Sequence, residues 1–500
     1  MASKSWRWPL LLLLVFLALG AATRFYRIDW SFSDDDTSSL AEARSLVEKP
    51  FFLAQVGYHD QQPRAQPVSH LLQAGAFRLF GESEAGARTG GAIAGTLSIL
   101  LTVLLVYRLA GGSAAVILGA ALMLWPWHLG HSQSTRVYMY AFLFVSVSLL
   151  SAALAWDRNS MKWGALSGMF SALAVSSHLS AILLPLGLTG FVAAECLRHR
   201  NPLAKRALLG YVLVGGPLLV GSCFLGWLAM HAWAGQQDWG YSVPHTVFGL
   251  AYNLGWSFAL LSVIGWMWAW RRGRALDRMC ASVAAVAFIA SIICPSVVSF
   301  RPDYLFTVTL AFMVLASGTI AVMYGELRKR SLAFAAGTVA VLLALPVPSF
   351  LSYYQDGDRQ DYRAAAHFIE EHRQTGDIVA ADNPGALGYY LAVPVEGVSS
   401  KCVEALESLS AGSKRVWYVC RYAREEPPGW VDQWFWQHAV RMLRLKKARF
   451  DYHENILDVY LIGAKQGTSK AERGPDPPQD QTREDASTVR PQKRNLAGIR

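Results

Sequence analysis

Residues 8–44 read WPLLLLLVFLALGAATRFYRIDWSFSDDDTSSLAEAR, an apolar run followed by three adjacent carboxylates, Asp34, Asp35 and Asp36. The run is long and apolar enough for a membrane-spanning helix, so the carboxylates should lie at or near a membrane surface, facing water. Three neighbouring Asp residues at an interface are either a solvated loop or the chemical centre of a membrane enzyme. The rest of the chain helps to decide between the two.

Apolar blocks recur along the chain and indicate a multi-span membrane protein. Of its 500 residues, 53% are hydrophobic and only 16% are charged, whereas a soluble domain carries about a quarter charged residues. Each block has roughly 17–25 residues, enough to cross about 30 Å of hydrocarbon as a helix. The predicted transmembrane helices, about eleven in number, are 9–24, 90–108, 113–130, 137–156, 163–178, 180–196, 207–230, 246–270, 279–299, 304–323 and 332–350.

The connectors between these spans alternate in charge, and this orients the chain. One set is rich in Lys and Arg, for example CLRHRNPLAKR at 196–206, and the other is poor in them apart from its long members. The positive-inside rule places the basic set and the N-terminus in the cytoplasm, so the Asp triplet and the C-terminal region face outward. Much of the net charge of +10 therefore lies in connectors that orient the helices and interact with anionic lipid. This charge does not imply that the protein binds nucleic acid. We take a bacterial inner membrane as the location.

The chain divides into a membrane part, an outward domain and a tail. Residues 1–350 form the membrane core, in which 25–89 is a long outward loop with two segments of helical apolar spacing, 37–48 and 67–80. Residues 351–464 alternate helix and strand patterns, which predicts an extracytoplasmic α/β domain. Its Cys402 and Cys420 either form a disulfide or remain two thiols. The polar segment 465–500 predicts a disordered tail.

Ionisable side chains collect at the outward ends of the spans, where such groups are costly and tend to mark function. The candidates are Asp34, Asp35, Asp36, His59, Arg64, His70, Arg88, His131, Arg136, Tyr138, Arg301 and Tyr304. Arg136 and Arg301 lie on the side that should be poor in cations. Guanidinium groups match phosphate oxygens, and a carboxylate suits general-base work. The set points to group transfer from a lipid phosphate to a nucleophile on the outer face.

Four segments occur in a recognisable order: DDTSSLAEAR (35–44), GESEAGARTGG (81–91), HSQSTRVYMY (131–140) and RPDYLF (301–306). In this order, and followed by an outward α/β domain, they resemble the GT-C glycosyltransferases that use polyprenyl-phosphate sugars. That family includes protein O-mannosyltransferases and the lipid A aminoarabinose transferase. Two positions differ from the family pattern: QPVSHLL stands where Pro-Pro-Leu-x-Tyr is usual, and Asp36 stands where Glu is usual.

The resemblance implies an inverting sugar transfer. Asp35 would deprotonate or orient the acceptor nucleophile, which attacks the anomeric carbon and expels polyprenyl phosphate. The residues implied to contact the donor phosphate and stabilise its growing charge are Arg64, Arg136, Tyr138, Arg301 and Tyr304. The implied partners are a polyprenyl-phosphate sugar, an acceptor that is protein, lipid or glycan, and the bilayer.

The other candidates have open roles. Asp36, the second catalytic candidate, either ligates a divalent cation or holds the loop, and no metal or other cofactor is assigned. Arg88 is a candidate for the site or an anchor that fastens the loop to the second span. Asp34, His59, His70 and His131 remain further candidates.

Two other classes of protein remain open on the residues alone. A transporter also has many spans and buried charges, although it should show repeat symmetry and broken helices near the bilayer midplane. A non-catalytic scaffold on the same fold is the other alternative.

Overall fold

The computed structural model describes residues 7–32, 34–48, 66–199, 204–233, 242–296, 300–356, 360–398, 403–411, 414–422, 434, 438–447 and 455–463. The side chains of Asp34 and Asp35 lie outside this description, although their backbone belongs to a helix. Other predicted features that lie outside the described residues are His59, Arg64, Cys402 and the tail 465–500. Their roles, and the pairing of the two C-terminal cysteines, stay predictions.

The apolar blocks fold into helices that are joined by short helical segments. In chain order the helices are α1 (Arg7–Phe25), α2 (Asp34–Glu48), α3 (Pro67–Phe80), α4 (Glu84–Ala110), α5 (Gly112–Leu124), α6 (Pro126–Ser132), α7 (Tyr138–Arg158), α8 (Met161–Ser177), α9 (Leu183–His199), α10 (Lys205–Gly210), α11 (Gly216–Trp233), α12 (Val243–Leu254), α13 (Trp256–Arg272), α14 (Ala275–Ile293), α15 (Leu310–Arg328), α16 (Leu332–Ala344) and α17 (Val347–Asp356). A π-helical turn, Tyr211–Gly215, joins α10 to α11, and 3-10 turns cover Leu179–Ile182, Cys294–Ser296 and Pro302–Val308.

Within the described ranges, seven helices are long and apolar enough to cross a membrane, or nine if each of two bent pairs counts as one span. A multi-span helical membrane protein is therefore confirmed, whereas the predicted count of about eleven is not. The helix α8, for example, has 17 residues, which is at the short end of what a span requires.

Two predicted continuous spans, 113–130 and 246–270, are wrong in shape because each is a broken helix. The first bends by 63° between α5 and α6, and the second bends by 98° between α12 and α13. Pro126 opens α6, and a helix does not continue undisturbed through a proline, which lacks an N–H and clashes with the preceding turn. At the second break Gly255 has a φ of +81°, a left-handed conformation that glycine adopts without strain.

Within the described residues of the 25–89 segment, two helices pack on each other and on the start of α4. An apolar cluster joins them, made of Phe32, Leu40, Ala43, Leu46, Ala74, Phe77 and Ala87. The two segments of helical apolar spacing, 37–48 and 67–80, lie in α2 and α3. The Asp triplet forms the first turn of α2, so its backbone is helical and not an extended loop.

The C-terminal part is a five-stranded sheet with helices. Its elements are α18 (Tyr362–His372), β1 (Ile378–Ala381), α19 (Pro384–Gly388), β2 (Val395–Gly397), α20 (Val403–Ser410), β3 (Val416–Tyr422), β4 (Ala439–Lys447) and β5 (Asn455–Ile462). The strand order is β2-β1-β3-β5-β4. The strand β1 runs parallel to β2 and β3, whereas β5 runs antiparallel to β3 and β4. The sheet and its helices are called here the C-terminal unit.

Candidate active site

The segment between α6 and α7, residues 133–137, lies directly on α4. A Cβ atom on Gly91 of α4 would lie 2.8 Å from the Ser134 carbonyl oxygen and 3.0 Å from that of Ser132. Only a glycine permits a backbone to approach so closely. The glycines of the 81–91 segment therefore allow the backbone of the 131–140 segment to lie against α4.

We expect Gly91→Ala to destabilise the protein by about 1–3 kcal/mol, because the methyl group would collide with backbone oxygens that cannot rotate away. The matched control is Gly318→Ala in α15, where the added Cβ would meet no described atom within 4 Å. Thermal unfolding in detergent should show a lower Tm for Gly91→Ala alone. Equal Tm values for the two variants would contradict the close contact.

Asp36 is the centre of a buried cluster that joins α2, α4 and the 133–137 segment. Its side chain is completely buried, and its Oδ2 accepts a hydrogen bond from the Arg88 Nη2 at 2.9 Å. Its Oδ1 accepts hydrogen bonds from the Ser134 hydroxyl at 3.1 Å, the Thr135 amide at 3.0 Å and the Thr135 hydroxyl at 2.9 Å. A carboxylate so engaged is typical of an anchor, which favours loop-holding over cation binding as the role of Asp36.

Arg88 holds the chain that leads into the Asp triplet. Its buried guanidinium donates to the carbonyl oxygens of Ile28 at 3.1 Å and Ser31 at 2.9 Å, and also to that of Trp30. It lies 4.9 Å from the centroid of the Phe32 ring. Of the two roles open for Arg88, the contacts therefore favour the anchor.

A second group of predicted residues gathers beside the anchored segment. The Arg136 guanidinium lies 5.2 Å from the centroid of the Tyr138 ring. The Tyr138 and Tyr304 rings both pack against that of His178, with centroids 4.5 Å and 5.5 Å away, and the Tyr304 amide donates to the Arg301 carbonyl at 3.0 Å. Four of the five residues implied for the donor phosphate therefore converge, and Arg64 lies outside the described residues.

The two arginines of this group have different surroundings. Arg301 pairs with Asp303 at 3.3 Å, and both side chains are partly exposed. Asp303 therefore neutralises part of the Arg301 charge. We call Arg136, Tyr138, Arg301 and Tyr304 the arginine–tyrosine group.

The two described histidines of the candidate set are both buried but lie in different places. The His131 ring packs between two other rings, with its centroid 4.9 Å from that of Tyr138 and 4.1 Å from that of Phe306. His70 lies on the buried face of α3. His131 is thus in direct contact with the arginine–tyrosine group.

His178 was not among the predicted site residues, yet its ring lies between those of Tyr138, at 4.5 Å, and Tyr304, at 5.5 Å. Its Nδ1 accepts a hydrogen bond from the Ser180 amide at 3.3 Å, so a neutral ring carries its proton on Nε2. His178 therefore has an N–H donor, and its ring lies against two members of the arginine–tyrosine group. Its position at the outward end of a span was the only sequence signal for it.

Arg24 is a second residue without a predicted role, and it stabilises the break between α5 and α6. It donates to the carbonyl oxygens of Leu122 at 2.9 Å and Met123 at 3.1 Å, which the break leaves without helical partners. It also donates to the Nδ1 of His128 at 2.9 Å. Like Arg136, Arg24 lies at the end of a span where the positive-inside rule disfavours cations, and this signal would have found it.

Within the described part of the chain, no group of three or more His, Cys, Asp and Glu side chains is placed to hold a metal ion. The side chains of Asp34 and Asp35 are outside that part, so the choice of metal or none stays open for them. Asp36 itself is surrounded by hydrogen-bond donors.

Comparison with known proteins identifies the fold. Residues 61–227 match the family model described as dolichyl-phosphate-mannose-protein mannosyltransferase. ArnT from Cupriavidus metallidurans in the apo state is similar with a TM-score of 0.53 and 15% identity, over 91% of this chain and 98% of that chain. The oligosaccharyltransferase of Archaeoglobus fulgidus in the apo form is similar with a TM-score of 0.58 and 11% identity, over 83% of this chain and 70% of that chain.

Two of the similar structures hold a lipid phosphate. One is the same ArnT bound to undecaprenyl phosphate, and the other is AglB from Archaeoglobus fulgidus in complex with an inhibitory peptide and a dolichol-phosphate, with a TM-score of 0.55. A comparison with curated protein sequences gives no match. The resemblance drawn from the four motifs is nevertheless confirmed: the chain has the fold of the GT-C glycosyltransferases, and it carries a segment that matches the dolichyl-phosphate-mannose-protein mannosyltransferase model.

Proposed function

We propose that this chain is a membrane glycosyltransferase that moves a sugar from a polyprenyl-phosphate donor to an acceptor on the outer face of the membrane. The observation that carries the proposal is the convergence of the arginine–tyrosine group next to the loop that bears Asp35. Both features belong to one buried framework, because Thr135 binds Asp36 and directly precedes Arg136.

In the proposed reaction, the carboxylate of Asp35 accepts the proton of the acceptor nucleophile. The nucleophile forms a bond to the anomeric carbon, and the bond from that carbon to the phosphate oxygen breaks with inversion. The electron pair leaves on the polyprenyl phosphate. Arg136 and Arg301 stabilise the resulting negative charge, and Tyr138, Tyr304 and His178 donate hydrogen bonds to the phosphate.

A polyprenyl-phosphate donor is supported by the similar proteins that hold undecaprenyl phosphate or dolichol-phosphate, and by the chemistry of the arginine–tyrosine group. Guanidinium groups bind phosphate oxygens in pairs, and phenol groups add hydrogen bonds without adding charge. The sugar, and whether the acceptor is protein, lipid or glycan, stay open. A transporter and a non-catalytic scaffold remain the alternatives.

The test is a transfer assay with the purified full chain in detergent. Mannosyl and glucosyl polyprenyl phosphates with a radiolabelled sugar are incubated with a membrane extract that contains acceptors. Time-dependent transfer of label to an acceptor supports the proposal. Uptake of the donor into sealed vesicles without release of polyprenyl phosphate would identify a transporter, and neither activity, across donors of several sugars, would favour the scaffold.

We expect Arg136→Ala to reduce the rate of transfer by roughly 10²–10³-fold, because the substitution removes a preorganised donor to the leaving phosphate. Arg136→Lys should recover only part of the rate, since an ammonium group keeps the charge but lacks the planar fork. Arg301→Ala should also reduce the rate, because it removes a second cation from the same group. The control is Lys329→Ala, an exposed cation at the other end of α15. A loss of rate in Lys329→Ala as large as that in Arg136→Ala would contradict a specific role of Arg136 at the phosphate.

A further inference from the structure

The C-terminal unit contacts the segment immediately before the Asp triplet through one tyrosine hydroxyl. The Tyr390 hydroxyl accepts a hydrogen bond from the Phe32 amide at 2.7 Å and donates one to the Glu84 Oε1 at 2.9 Å. The Ser31 hydroxyl lies 3.4 Å from the same oxygen. One phenol therefore joins the loop backbone, the first turn of α4 and the C-terminal unit.

The loop is thus held on both sides of Asp35. Before it, Tyr390 binds the Phe32 amide, and Arg88 binds the Ser31 carbonyl at 2.9 Å. After it, Asp36 is fixed in the buried cluster with Arg88. Only residues 33–35 separate the two fixed points. A stretch this short has few conformations to explore, so both anchors limit where the backbone of Asp35 lies.

We propose that Tyr390 is a positioning residue for Asp35, and that the C-terminal unit is consequently a component of the active site. This inference rests on the proposed function of Asp35 as the base. Tyr390 does not touch the reacting atoms in this scheme. It acts through the backbone of Phe32, and its effect is on the geometry of proton transfer.

The hydroxyl of Tyr390 is suited to this role because it stays protonated. Burial raises the pKa of the Tyr390 phenol above its ordinary value, and the nearby Glu84 carboxylate raises it further. The phenol therefore donates to Glu84 throughout the physiological range and keeps a lone pair for the Phe32 amide. A second contact supports the same junction: the Arg363 amide donates to the Ser31 hydroxyl at 3.2 Å, and the Arg363 side chain pairs with Glu84 at 3.4 Å.

The neighbouring Tyr389 provides a matched control. Its ring packs edge-on against Phe32, with the centroids 5.0 Å apart. Its hydroxyl, however, donates to the Glu82 carbonyl at 3.1 Å and belongs to a side chain that is partly exposed. Tyr389→Phe therefore keeps the ring contact and removes a hydroxyl of the same unit that binds the backbone at Glu82 and not at Phe32.

The experiment compares wild type, Tyr390→Phe and Tyr389→Phe as full chains in detergent, by amide hydrogen exchange and by transfer kinetics. In Tyr390→Phe the Phe32 amide loses its acceptor, so peptides that cover residues 28–36 should exchange roughly tenfold faster. The transfer kcat should fall by roughly 10–100-fold with an unchanged KM for the donor, because the base is misplaced while the phosphate contacts remain. Tyr389→Phe should match wild type in both measurements, and all three proteins should share the same Tm.

The two measurements separate the inference from the function on which it rests. Unchanged exchange in Tyr390→Phe would overturn the contact, whatever the kinetics show. Faster exchange with an unchanged kcat would overturn the positioning role. Absence of transfer by wild type would overturn the proposed function and with it the positioning of a base, while the exchange data would still decide whether Tyr390 holds the loop. A fall in kcat of equal size in Tyr389→Phe would assign the effect to docking of the unit as a whole.

Discussion

Replacement of Asp35 by Asn is expected to abolish sugar transfer while leaving the fold intact. The amide has the shape of the carboxylate but does not accept the proton of the acceptor nucleophile, and loss of a general base costs roughly 10²–10⁴-fold in rate. The measurement is label transfer from mannosyl and glucosyl polyprenyl phosphates by purified wild type and variant. Gel filtration and Tm establish that both proteins are folded.

Asp34→Asn is the matched control for this experiment, since it changes the adjacent carboxylate in the same turn of α2. It should retain transfer close to that of wild type. Full activity of Asp35→Asn would remove Asp35 from the mechanism and direct attention to Asp34. If both variants lose activity equally, the two carboxylates act together, and the assignment of a single base is wrong.

Breaking the ion pair between Asp36 and Arg88 should have the largest effect on stability. Arg88→Met would leave the Asp36 carboxylate buried without its cation and would remove the donor to three backbone carbonyls. Removal of one partner of a buried pair costs about 3–5 kcal/mol. Loss of folded protein on heating in detergent, followed at a fixed scan rate, should therefore occur at a clearly lower temperature.

Two further variants make this result specific. Arg88→Met combined with Asp36→Asn should be less destabilised than Arg88→Met alone, because no unpaired buried charge remains. Glu326→Ala breaks the ion pair between Glu326 and Lys329, whose side chains are 66% and 69% exposed, respectively. Such an exposed pair contributes less than about 1 kcal/mol to stability. If Glu326→Ala and Arg88→Met lowered the unfolding temperature by similar amounts, this would contradict the buried character of the Asp36–Arg88 pair.

The parts of the fold that depend on local pattern were predictable from the sequence. Apolar length predicted the membrane helices, and helical spacing predicted α2 and α3, because each pattern is read within one segment. In the C-terminal unit the apolar runs of β1, β3 and β5 predicted strands. The strand β4 was missed because VRMLRLKK carries basic residues along an edge strand, where charges are common. The strand β2 has only three residues, too few for a pattern.

The arrangement of the site was less accessible to sequence reasoning. Residue types and the predicted membrane side suggested Arg136, Tyr138, Arg301 and Tyr304 as a group, and their role at a phosphate stays a prediction. The partners of Asp36 were not predictable, because Thr135 lies 99 residues away in the chain and its approach depends on the glycines of α4. The break at Pro126 explains why Arg24 was missed: its role is to bind carbonyl oxygens that a continuous helix would have satisfied internally.

The hydrogen bond between Phe32 and Tyr390 joins residues that are 358 positions apart. A ribosome that adds about 5–20 residues per second needs roughly 20–70 s to make that stretch. During this time the first membrane helices and the Asp triplet are already in place, but the tyrosine that holds them does not yet exist. Until Tyr390 has been made, a nascent chain therefore lacks one of the two contacts that hold the backbone on either side of Asp35.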